Sequence, residues 1–220
     1  MFRVYLLHIL LLLAYNLPAQ VPVREEPRHH NVFENEYLRI LDVYLEPGDT
    51  TLYHLHNTPS VFIVLSNSNV VSQLPGGQPA NGANLTGTIS YDSINNPRIH
   101  RVWNIDTSWF HVMDVELLSK KQNKPVHKLS SNSFQLLFER GYANGYKFAI
   151  DGKKQFIIPA SANGYLLVCL ENAEVEIEND KPIEYRKMKP GHYIIIEADR
   201  KIQISSLKNE IAEFTLIQLK

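Results

Sequence analysis

The stretch LEPGDTTLYHLHNTPSVFIVLSNSN, residues 45–69, decides how the chain is read. It opens on a turn pair, Pro47-Gly48, and then sets two histidines, His54 and His56, one residue apart. An apolar run, residues 60–66, follows across Asn57–Pro59. On a β-strand residues i and i+2 share a face, so His54 and His56 point one way and Tyr53 and Leu55 the other. Two imidazoles on one strand face can converge on one metal ion, with a third ligand from elsewhere. NPRIHRVWN, residues 96–104, offers His100 on another strand-like run. Neutral imidazole nitrogen suits zinc, iron, copper, nickel and, with oxygen ligands, manganese.

Outward from this stretch the chain is almost all strand-like. Runs rich in Val, Ile, Leu, Phe and Tyr occupy residues 37–45, 109–118, 146–150, 155–159, 165–170, 173–178, 193–198, 201–205 and 214–219. Short runs broken by turn residues predict an all-β sandwich or barrel. No long amphipathic helix is expected. Two stretches read as non-strand: the Gly/Pro/Asn-rich residues 74–87, expected to form a loop, and the polar, basic residues 119–133, expected to connect two halves. Residues 20–31, QVPVREEPRHHN, read as an extended arm in which His29 and His30 are exposed.

The halves are related. A shift of 105 residues lays VFENEY (32–37) on LFERGY (137–142) and VLSNSNVV (64–71) on CLENAEVE (169–176). It also lays Asn104 on Asn209. Strands fall on strands and turns on turns, which reads as an internal duplication. Asn67 and Asn172 coincide between strand runs, where asparagine tolerates the positive φ of a tight turn.

With these residues in view, the chain resembles the cupin superfamily. Gly48, five residues and His54-x-His56 match the opening of the first cupin motif, and His100 followed by Asn104 matches the end of the second. KPGHYIII, residues 189–196, resembles the turn and strand leading into a second motif. The resemblance implies two double-stranded β-helix, jelly-roll-type barrels in tandem. The first, with its arm, would occupy 21–118 and the second, degenerate one 134–220, joined by 119–133. It implies a divalent metal (iron, zinc or manganese) on His54, His56 and His100, a small-molecule pocket near Ser60, Arg98 and Asn104, and dimerisation through sheet faces. The sequence departs from the pattern where the motif carries a ligand glutamate, for Ser60 and Val61 stand there; Asn67 replaces the closing glycine, and Pro97 crowds His100. In the second half the shift puts Pro159, Ser161, Tyr165 and Ser205 where His54, His56, Ser60 and His100 stand, so that half carries no metal ligands.

Three function classes follow. One is an exported protein that binds a metal, and a small molecule, without strong activity. Another is a metal-dependent enzyme of dioxygenase or isomerase type on a small oxygenated molecule. The third is a structural or interaction module of the cell envelope. Export is expected because Arg3, a short apolar run over residues 4–17 and Pro18-Ala19-Gln20 make a signal peptide ending near residue 20. That run is shorter than the ~20 residues of a membrane span. The product would be secreted or periplasmic, with no membrane span. A net charge of −1 gives no reason to expect nucleic acid. The single cysteine, Cys169, lies in an apolar run and reads as a small core residue. Trp103 and Trp109 read as packing, and Asn84-Leu85-Thr86 matches the short glycosylation pattern. No nucleophile elbow, phosphate loop or paired carboxylate site is present, so catalytic residues stay unassigned.

Overall fold

The computed structural model describes residues 20–119, 125–131, 133–152, 154–179 and 182–220. Residues 1–19 of the expected signal peptide and 120–124 and 132 of the expected connection lie outside them. Among the described residues no helix is long and apolar enough to cross a membrane. The secondary structure of the described residues is strand apart from one 3-10 turn at Val23–Glu25.

Ten strands precede residue 118: β1 (Gln20–Pro22), β2 (His29–Glu34), β3 (Leu38–Leu45), β4 (Tyr53–His56), β5 (Ser60–Val64), β6 (Ser68–Gln73), β7 (Ala80–Asn84), β8 (Ile89–Asp92), β9 (Arg98–Asn104) and β10 (Phe110–Leu117). Nine follow: β11 (Gln135–Glu139), β12 (Ala143–Asp151), β13 (Gln155–Ile158), β14 (Tyr165–Cys169), β15 (Ala173–Glu178), β16 (Glu184–Met188), β17 (Tyr193–Ile196), β18 (Ile202–Ser206) and β19 (Ile211–Leu219). The first ten form two sheets, ordered β1-β4-β9-β6-β7 and β2-β3-β10-β5-β8. The last nine form two more, β11-β12-β19-β14-β17 and β13-β18-β15-β16. Each pair of facing sheets makes one barrel, and the chain is two double-stranded β-helix barrels in tandem.

Burial explains why the strands of the middle sheets do not alternate. Every residue of β10 is buried. One face of β3, β5 and β10 lines the first barrel, through Leu41, Val43, Val64 and Val112. The other face packs Leu38, Ile40, Ile63 and Val115 against Ala143, Leu166, Val168 and Ile217 of the second. The interior of the second barrel is apolar: Phe148 stacks on Phe156 at 4.3 Å and on Phe214 at 5.4 Å between ring centroids. Its core takes in Ile158, Ile202 and Leu216.

Three sequence expectations change here. Residues 74–87 are not all loop, because β7 pairs with β6 along its length. The arm at 20–31 is not an appendage: β1 adds a parallel strand to β4, and β2 pairs with β3. Asn67 and Asn172 do not have positive φ, since among the described residues the non-glycine ones that do are Ile94 and Asp199. Asn67 holds its turn with its side chain instead, its Oδ1 accepting from the Thr86 amide at 2.9 Å. The turn before β4 does need its glycine, Gly48, at φ +79°.

The 105-residue shift is followed by the early strands and lost by the late ones. β5 and β6 fall on β14 and β15 residue for residue. Then Val70 pairs with Asn104, but Val175 pairs with Ser206, three residues short of Asn209. Likewise Val64 pairs with Val112 and Cys169 with Phe214. Counting back from Ser206, the place of His100 is taken by Ile202, whose partner Ile158 takes that of His54. Pro159 and Ser205 are therefore not the counterparts that an ungapped shift suggests, and Ser161 lies beyond the end of β13. Tyr165 does stand against Ser60, at the start of β14 and β5.

Candidate metal centre

β4 and β9 are antiparallel neighbours, and His54 lies opposite His100 in their register. His56, two residues along β4, shares the inward face of His54. One nitrogen from each of the three rings lies within 4.8 Å of the others. Ring centroids are 4.6 Å apart for His54–His100 and 5.0 Å for both His54–His56 and His56–His100. His54 and His56 are 1% and 2% exposed. Burial pushes His54 down to about 4, with repulsion from His29 adding to it. Burial, then the neighbouring imidazoles, push His56 to about 2 and His100 to about 3. All three rings are neutral near pH 7, which leaves a nitrogen lone pair on each.

The Nδ1 atom of His54 is 2.9 Å from the Leu52 carbonyl, which only accepts, so Nδ1 carries the proton and Nε2 the lone pair. His100 Nδ1 meets the Ser72 hydroxyl at 3.0 Å. Two buried ring nitrogens, His56 Nδ1 and His100 Nε2, have no hydrogen bond. Unsatisfied buried polar atoms call for an explanation. An ion shared by the three rings would supply it for His100 Nε2.

The histidines form part of the wall of a cavity of about 270 Å³. Its floor is apolar, with Val43, Leu45, Phe62, Phe110 and Val112. Larger hollows of about 440 and 410 Å³ lie at residues 177–202 and 69–107, away from the histidines, and bring no comparable set of ligands together.

Three wall residues were not legible as such. His29, expected to be exposed, is 8% exposed and its ring sits 4.7 Å from that of His54. The 3-10 turn brings Glu26 to its Nδ1 at 2.8 Å. Burial opposes ionisation of Glu26, but hydrogen bonds from His29 and from the Leu52 and Arg28 amides outweigh it and hold its carboxyl low. His30 is exposed, as expected. Asp114, on β10, is 1% exposed and places Oδ2 3.6 Å from His56 Nδ1. Burial pushes its carboxyl up to about 8, with the Glu116 charge adding to the rise. Asn84 lines the cavity with its amide nitrogen buried and unbonded, which argues against the glycosylation reading of that site.

The expected pocket residues are placed differently. Asn104 spends its amide on the β9–β10 turn, donating to Leu45 O at 3.1 Å and Ser108 O at 2.7 Å and accepting from the Asp106 amide at 2.9 Å. It is a turn pin and not a pocket group. Ser60 is fully buried, bonds the Thr58 carbonyl at 3.2 Å and does not line the cavity. Arg98 pairs with Asp92 at 2.7 Å and stands outside the cavity wall. His111 is buried on the other face of β10, with Nε2 2.8 Å from Asp42 and its ring stacked on Tyr44. Cys169 is a buried core thiol that burial raises to about 11. Among tryptophans, Trp109 is half exposed edge-on to Tyr44, and Trp103 stacks on the Arg101 guanidinium.

No family model matches the sequence, and no curated protein matches it. Solved structures do match over most of the chain. AerE from Microcystis aeruginosa aligns at a TM-score of 0.60 and 11% identity, covering 89% of this chain and 98% of its own. A cupin 2 conserved barrel domain protein from Leptotrichia buccalis aligns at 0.54 and 11%, covering 87% and 88%. The bacterial pirin YhhW from Escherichia coli, solved in complex with nickel(II), aligns at 0.59 and 16%, covering 87% and 90%. At these identities the likeness is one of fold. The chain has the fold of a tandem cupin, with a second barrel that lacks histidines where the first holds its cluster.

Proposed function

We propose that this is an exported cupin protein that binds one divalent metal ion, and beside it a small molecule, in the first barrel. The convergence of His54, His56 and His100 in one buried cavity carries the reading. Three neutral imidazoles with an open side make a donor set that suits zinc, iron or nickel, and three-histidine sites with a free position are a known catalytic form. The nickel(II) in the YhhW structure supports it by analogy of fold. A bound ion would act as a Lewis acid or redox centre for an oxygen-bearing ligand. The chain's own part is to hold the three rings neutral by burial, to fix the His54 tautomer through Leu52, to orient the His100 ring through Ser72, and to offer an apolar floor with the Asn84 amide as hydrogen-bond donor. The apolar run at residues 4–17 supports export.

Elemental mass spectrometry tests this on untagged protein from its exported fraction, beside a His54→Ala/His56→Ala variant. Near-stoichiometric metal that the folded variant lacks is the expected result. No metal in either, after supply of iron, zinc, nickel and manganese, would overturn it. Finding the protein unprocessed in the cytoplasm would overturn the export part alone.

A second reading, a metal-dependent enzyme on a small oxygenated substrate, is favoured by the cavity of about 270 Å³ that opens directly onto the histidines, near the small end of ligand pockets. Turnover that is lost in a folded His100→Ala variant would establish it, and ligand binding without turnover would leave the first reading.

A further inference from the structure

The Nδ1 atom of each clustered histidine meets a different group of the protein. For His54 it is the Leu52 carbonyl at 2.9 Å, and for His100 the Ser72 hydroxyl at 3.0 Å. For His56 it is Asp114, whose Oδ2 is 3.6 Å away, just beyond hydrogen-bond distance. His56 Nδ1 and both oxygens of Asp114 are buried without a well-formed hydrogen bond, the Ser60 hydroxyl being the other polar group close to the carboxyl. A buried polar group without a partner is costly. The fold does not require an acid there, because the register puts Leu216 in the same place in the second barrel, where the described residues form no histidine cluster.

We propose that Asp114 is the outer-shell partner of His56: its carboxyl accepts the Nδ1–H and so fixes the ring with Nε2 turned to the ion that the three histidines share. The inference rests on the metal-binding reading above. Metal-ligating histidines generally donate their second ring N–H to a carboxylate, carbonyl or water, and losing that partner weakens metal binding by about 10- to 100-fold. Closing the 3.6 Å gap by a few tenths of an ångström would bring the pair to hydrogen-bond distance. Asp114 is thus a positioning residue that acts through His56.

Zinc affinity, read by competition with a chelator, tests this on the full chain and on Asp114→Leu and Asp114→Asn. NMR of zinc-loaded protein labelled at histidine nitrogen reads the His56 Nδ1–H directly. The Leu variant is expected to bind zinc about 10- to 100-fold more weakly, to lose the slowly exchanging Nδ1–H signal, and to melt no lower than wild type without metal. The Asn variant keeps an acceptor and should lose less affinity. If the Leu variant fails to fold, Asp114→Ala is measured in its place with the same outcomes. Unchanged affinity and an unchanged Nδ1–H signal would overturn the role of Asp114 while leaving the metal site intact. Wild type that binds no zinc or other divalent ion would overturn both.

Discussion

In the first barrel β4, β9 and β10 turn His54, His100 and Asp114 inward, whereas at the same register the second barrel carries Ile158, Ile202 and Leu216. A second pair of positions differs in the same sense. Arg39 and Glu116 form a buried ion pair at 2.5 Å in the first barrel, and Asn144 and Gln218 form a neutral hydrogen bond at 2.9 Å in the second. One backbone therefore supports two interiors. The second is filled with stacked phenylalanines and isoleucines, and Leu129 packs onto it from the segment ahead of β11. The first keeps a cavity, four imidazoles and unbonded buried polar atoms. Apolar filling is the stabilising choice and buried polar clusters are not, so the polar interior is where function is to be sought.

The comparison can be broken by exchanging the interiors. His54→Ile/His100→Ile copies the second barrel into the first. Metal uptake should fall below detection by elemental analysis, while the isoleucines, which the fold already accepts at this register, leave the protein folded.

Acid gives the next largest effect. Burial lowers His54 to about 4, His56 to about 2 and His100 to about 3 from an ordinary 6.5. The unfolded chain takes up these protons first, so the histidines' contribution to stability without metal is full above about pH 6.5 and falls with pH from there towards the native values, while Asp114, raised to about 8, titrates with the opposite sign and offsets part of the loss. Denaturant titrations between pH 7 and pH 4 should show a loss exceeding about 3 kcal/mol. The double isoleucine variant should lose much less, and an equal loss in both proteins would contradict the assignment.

The ion pair sharpens the comparison. Arg39→Asn alone strands the Glu116 carboxylate and should cost about 3 kcal/mol in a denaturant melt. Arg39→Asn with Glu116→Gln copies Asn144–Gln218 and should recover most of that. Ser60→Ala, outside the cavity wall but beside the Asp114 carboxyl, is the smallest change: stability should move by about 1 kcal/mol or less, and metal affinity by less than in Asp114→Leu.

Much of this was readable from residue order. The His-x-His spacing and His100 predicted one cluster because strand alternation is strict, and the turn at Gly48 set the start of β4. The duplication was visible because β5 and β6 repeat without a gap. Other features depended on long-range pairing. The three-residue slip in β18 and β19 follows from loops shortened after β15, which an ungapped shift cannot register. β7 hides among glycine and asparagine because it is an edge strand, five residues long and mostly exposed, whose partner β6 supplies its order. His29 reads as part of a polar arm until β2 pairs with β3 and Glu26 closes on it. Asp114 sits in a run buried on both faces, so alternation gave no sign of which side it faced.

The central claim is one ion in the first barrel and none at the same register in the second. Anomalous X-ray diffraction from crystals soaked in zinc, recorded on both sides of the zinc edge, tests it most directly. The account predicts a single strong internal peak among His54, His56 and His100 and nothing beside Ile158 and Ile202. A difference map without that peak, or with zinc bound only at the surface, would contradict it.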